Sequence, residues 1–122
     1  MAAPLPIVRG PLDAESRAWV QATLEGLSLR ELIGQLVIEW IPGGYVTPTS
    51  PDFQPLRDWV VEDRIGGVSP SIGTPHAYVS KLNALQSLAE IPLLVTADFE
   101  NGGPGMRINH SFALPSMLPQ GG

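Results

Sequence analysis

An α/β fold, with parallel strands each followed by a helix, is what this sequence predicts. Three observations carry the reading. Short apolar runs at 35–41, 65–69 and 93–97 have strand length and lie between Gly- or Pro-containing breaks. Stretches at 53–61 and 76–89, between those runs, are long enough for helices. The order strand, helix, strand, helix, strand then suits parallel pairing with right-handed crossovers.

The elements follow from the residues in order. Residues 1–11 hold three prolines and no period, and read as an extended arm. Asp13 can cap a helix over 14–24, with Trp19, Val20, Thr23 and Leu24 along one side and Gly26 to end it. Ser28 opens a second helix, and Glu31 three residues on makes Ser-x-x-Glu, a capping box. Gly34 interrupts that helix. The run 35–41 is the first buried strand, and 42–51 is a loop long enough to arch over a site. In the helix at 53–61, Phe53, Leu56, Trp59 and Val60 share a face. The second strand, 65–69, is short and Gly-containing, with 70–75 as its loop. In the helix at 76–89, Val79, Leu82 and Leu85 are more apolar than Ala77, Lys81, Ala84 and Leu88. The third strand, 93–97, is apolar on both faces, as a buried parallel strand is. An irregular tail covers 109–122.

Composition narrows the function. With 43% hydrophobic and 16% charged residues, the chain is globular rather than disordered. Seven basic residues stand against twelve acidic ones, without a Lys/Arg cluster, so the footprint of a nucleic-acid binder is missing. The absence of cysteine excludes disulfides and Cys-based zinc sites. No apolar run approaches the roughly 20 residues of a membrane span. The first ten residues lack a charged start followed by an apolar core, so the expectation is a cytoplasmic protein without a leader.

The most site-like stretch is 91–107. Asp98 and Glu100 stand where the third strand ends, before the Gly-rich turn at 102–105 and Arg107. In α/β folds, chemistry gathers where parallel strands end and loops begin. Asp98 and Glu100 are two apart, which puts both side chains on one strand face. They resemble a catalytic carboxylate pair. Yet a nucleophile and an acid approach a reacting centre from different sides, which adjacent residues on one strand end do poorly, so no catalytic pair is read here.

Four ordered segments resemble glycoside hydrolase family 3, and its β-N-acetylhexosaminidase-type branch in particular. Asp98-Phe-Glu100-Asn-Gly102-Gly103 followed by Arg107 resembles the family's Asp-x-Glu-Gly-Gly…Arg. Leu-Ser-Leu-Arg-Glu-Leu-Ile-Gly-Gln-Leu at 27–36 resembles its opening segment. Ile-Gly-Gly-Val at 65–68 resembles its second strand. Asn-Ala-Leu-Gln at 83–86 before Ile-Pro-Leu-Leu-Val at 91–95 resembles the helix and strand that lead to the sugar-binding Asp. Asn101 reads as a one-residue insertion, and Pro104 replaces the family's first arginine.

The resemblance implies the first three βα units of a (β/α)8 TIM-type barrel, truncated, since such a barrel typically takes about 250 residues. Residues 1–26 would be the arm and leading helix, and 27–122 the partial barrel domain. It also implies a retaining glycosidase removing terminal β-linked sugars, β-N-acetylglucosamine first and a β-glucosidase or exo-glucanase substrate as the alternative. Asp98 would bind the cleaved sugar, since a carboxylate accepts two hydroxyl hydrogen bonds at once. Arg107 would contact the sugar and steady Asp98. Glu100 would bind substrate or hold the Gly-rich turn and Arg107. The nucleophile and acid/base segments of the family are missing, so no catalytic residue is assigned, and no metal or organic cofactor is implied.

Other residues carry blander readings. Glu39 reads as a solvent-facing strand carboxylate, with the mouth of a site as the alternative. His76 reads as a solvated first-turn residue, and His110 lies near the motif without the family's histidine segment. Trp40 and Trp59 read as core residues and Tyr45 as a candidate for stacking on a sugar. A non-catalytic α/β binding module whose Gly-rich turn cradles a phosphate is the competing class. That module needs a helix directly after the turn, and Met-Arg-Ile-Asn-His followed by prolines has no helical pattern. The open edge of a partial barrel would also invite self-association, or pairing with another chain.

Overall fold

A computed structural model describes residues 10–98. Asp13 caps α1 (Ala14–Gly26) by accepting the Ser16 amide at 2.7 Å. The capping box of α2 (Leu29–Gly34) is complete. The Ser28 amide donates to Glu31 Oε2 at 2.7 Å, and the Glu31 amide donates to Ser28 Oγ at 3.4 Å. β1 (Ile38–Gly43) leads through a 3-10 turn (Pro51–Phe53) into α3 (Gln54–Val61). β2 (Gly67–Gly73), α4 (Pro75–Leu88) and β3 (Leu94–Val95) follow. The three strands form one sheet in the order β1-β2-β3, parallel throughout. This is the α/β architecture of the first βα units of a barrel, and the strand–helix alternation read from the sequence is present.

The sheet has two unlike faces. Ile41 and Val68 turn toward α3 and α4 and form one core with Phe53, Leu56, Val60, Ile65, Leu85 and Leu93. On the other face, Ile38, Gly67 and Leu94 lie in register across the three strands. There Trp40 is 56% exposed and Leu94 is 64% exposed. The second face is the one a closed barrel would turn inward. That explains why a strand apolar on both faces is buried on only one side here. The expected core role of Trp40 is corrected accordingly, whereas Trp59 does pack against the core.

Strand boundaries moved for local reasons. The first strand begins at Ile38 rather than Gln35, because the amides of Gln35, Leu36 and Val37 still bond back to Glu31, Ile33 and Gly34. Leu36 consequently lies in a turn, 86% exposed. β1 runs on through Pro42, which its edge position permits, since proline cannot donate to a ladder. β2 likewise runs through Pro70, beyond the reach of the short β3, where it has β1 as its neighbour. The third strand is shorter than 93–97. It is an edge strand among the described residues.

The amino-terminal ends of the strands are tied by polar groups. Arg64, in the left-handed region at φ 49°, pairs with Glu31 at 3.0 Å and Glu90 at 2.7 Å. Its carbonyl accepts from Gln35 Nε2 at 2.7 Å. Gly66 must be glycine here, because a Cβ would stand 2.1 Å from the Gln35 carbonyl oxygen. The Gln86 amide clamps Leu93 in both directions, donating to its carbonyl at 2.8 Å and accepting its N–H at 3.0 Å. That clamp fixes where β3 enters the sheet.

Candidate functional site at the carboxyl ends of the strands

Asp98 lies three residues past β3 and is exposed. The ladder continues to Thr96, whose amide donates to the Val68 carbonyl at 3.1 Å. Alternation continued from Leu94 through Thr96 would put Asp98 in phase with the open sheet face that holds Trp40. Asp98 therefore lies just beyond the carboxyl end of the sheet. Glu100, Arg107, His110 and the Gly-rich turn at 102–105 lie outside the described residues. His76 is exposed in the first turn of α4, as expected.

Around the same end, β1 and β2 finish in a tight knot. The register slips between Pro42 and Gly43, which pair with Ser71 and Gly73. Ile72, skipped by that slip, sits at φ 42°, a strained conformation for a β-branched residue. A Cβ on Gly43 would meet the Ser71 carbonyl oxygen at 2.3 Å and the Tyr78 hydroxyl at 2.7 Å. Lys81 reaches the knot from α4 and donates to the Pro42 carbonyl. Tyr78 and Lys81 are both buried, and the Tyr78 hydroxyl has no partner among the described residues. Burial pushes the Lys81 ammonium below its usual pKa and the Tyr78 hydroxyl above its own.

Sequence reasoning missed both of these groups. Hydropathy ranks Val79 above Lys81, yet Val79 is exposed and Lys81 is 2% exposed. The signal was there in the spacing. Tyr78, Lys81 and Leu85 recur at i, i+3 and i+7 and share one helical face with Ala77.

Glu39 does not point into this site. It is half-buried in the amino-terminal half of β1 and lines a cavity of about 590 Å³ with Leu29, Ile33 and Trp59. The Arg30–Asp63 ion pair lies at that cavity. Among the described residues, no group of three potential ligands could hold a metal ion, and no helix is long and apolar enough to cross a membrane.

No protein-family model and no curated protein matches this chain. Among solved structures it is similar to a β-glucoside phosphorylase, BglX, bound to 2FGlc, with a TM-score of 0.60 and 28% sequence identity. The similarity covers 75% of this chain and 15% of that one. The parallel three-stranded sheet and this likeness agree on the α/β fold of the first βα units of a barrel, and this chain spans about 15% of that structure's length.

Proposed function

We propose that this chain supplies the first three βα units, and one side of the sugar pocket, of a retaining glycosidase acting on terminal β-linked sugars. The observation that supports the reading is that Asp98 lies exposed three residues past β3, at the carboxyl end of the sheet, where strand alternation would turn it to the face a barrel encloses. There its two oxygens can accept hydrogen bonds from neighbouring sugar hydroxyls. Trp40 and Leu94 on the same face would form the apolar floor. The reaction of the complete enzyme would pass through a glycosyl-enzyme intermediate and an oxocarbenium-like transition state. This chain would bind and orient the sugar, while the nucleophile and the general acid/base come from chain outside these residues. Arg107 and Glu100 are proposed to join Asp98 in holding the sugar, on the strength of the motif they share with it.

Two sugars compete for the pocket. The segment 98–107 favours β-N-acetylglucosaminides, and the solved β-glucoside phosphorylase favours β-glucosides. Isothermal titration of the full chain with methyl β-glucoside and with methyl β-N-acetylglucosaminide separates them. Binding of either sugar that is lost in Asp98→Ala supports the proposal. Binding that survives Asp98→Ala unchanged, or binding of neither sugar by a folded chain, rules against it.

A further inference from the structure

We propose that Lys81 is a positioning residue, whose buried ammonium holds the carboxyl end of β1 and through it the 44–50 loop at the mouth of the sugar site. Pro42 lies on the edge strand with no neighbour beyond it among the described residues, and the β1–β2 register breaks immediately after it. The strand end is thus short of sheet hydrogen bonds where the loop departs. Lys81 makes up the deficit from the helix layer, by donating to the Pro42 carbonyl. Gly43 is boxed in at the same point by the Ser71 and Ile72 carbonyls and the Tyr78 hydroxyl. Beyond it the loop carries Tyr45, exposed, and Val46, packed against the core.

A role in stability alone is a poor account of Lys81. A lysine buried to 2% exposure costs desolvation that one carbonyl partner compensates poorly, and an apolar side chain of similar length would fill the space without that cost. What Met cannot supply is a directed donor to one carbonyl. The purpose of the loop rests on the function proposed above. The test does not, because it reads the loop in the absence of sugar.

Hydrogen exchange of the full chain provides the experiment. Lys81→Met should speed exchange of the Ser50 amide, which closes the loop by donating to the Thr47 carbonyl at 2.9 Å, by about tenfold, the scale of one lost hydrogen bond to a charged donor. Exchange in β2 and α3 should stay unchanged, and the urea midpoint should not fall. Lys81→Arg, which keeps a donor, should bring the loop back toward wild type. Unchanged exchange at the Ser50 amide, or an equal acceleration in every segment, overturns the proposal. Tyr78→Phe is a second, independent check that leaves Lys81 in place. Its loop should exchange as in wild type, and a loop opened by this change would mean that the hydroxyl, not the ammonium, holds the strand end.

Discussion

Lys81 and Gly66 show how single residues set the geometry of this chain. Gly66 joins the α3 end to β2, and any side chain there runs into the Gln35 carbonyl oxygen. Gly66→Ala should therefore cost about 1–3 kcal/mol in urea unfolding, the range for forcing extra atoms into a filled site. Lys81 makes a pH-dependent contribution of definite sign. Burial lowers its pKa from the usual 10.5, so below 10.5 there is a window in which the unfolded chain holds a proton that the folded one has shed. Stability rises with pH across that window. Tyr78, pushed up from 10.0, acts in the opposite direction above pH 10. Subtracting the Lys81→Met variant, which keeps Tyr78, leaves the lysine alone. The stability of wild type relative to Lys81→Met should increase as pH climbs toward 10.5, and a flat difference in urea midpoints would contradict it. Glu31 behaves as a depressed carboxyl, held down by its bonds with Ser28. Its contribution to α2 is complete above its ordinary value of 4.5 and fades as pH falls through the lowered one.

At the scale of elements, helix caps were the most legible feature. Asp13 and the Ser28–Glu31 box act through bonds within four residues, so sequence spacing is enough to find them. The face of α3 was legible too, since Phe53, Leu56 and Val60 repeat at helical spacing and are buried. Strand ends were not, because they depend on partners far along the chain. Pro42 and Pro70 look like loop residues until one knows that each lies where β1 or β2 lacks a neighbour on one side. The face of α4 was hidden for another reason. Hydropathy ranks Val79 above Lys81, but the α4 face is chosen by where the sheet lies, and a lysine can bury its stem and still donate at its tip. A direct comparison tests that face. Leu85→Ala, at 1% exposure, should destabilise by about 2–5 kcal/mol, whereas Val79→Ala should change stability by less than about 0.5 kcal/mol. Equal costs in thermal unfolding would show that α4 is rotated from the orientation described.

For the molecule as a whole, the sheet leaves work undone. β1 and β3 are both edges among the described residues, and the face with Ile38, Trp40 and Leu94 lies open. An edge with free N–H and C=O groups next to exposed apolar residues is a template for pairing. The place of Asp98 was legible in sequence because a carboxylate directly after an apolar run marks a strand end. The openness of the face beside it was not, since burial depends on what packs against the sheet. In the similar solved structure, this unit corresponds to 15% of a longer chain. The 122-residue chain should therefore self-associate, with a light-scattering mass that rises with concentration. Trp40→Lys, which places a charge on the open face, should shift it toward monomer. The same geometry sets the catalytic expectation. A retaining mechanism needs a nucleophile and an acid/base about 5–5.5 Å apart on two sides of the scissile bond. Among the described residues, Asp98 alone of the proposed sugar ligands stands at the carboxyl end. The chain by itself should bind a β-linked sugar without cleaving aryl β-glycosides. Steady turnover of such a substrate by the purified chain, abolished in Asp98→Asn, would make Asp98 part of a complete active site rather than one wall of a shared one.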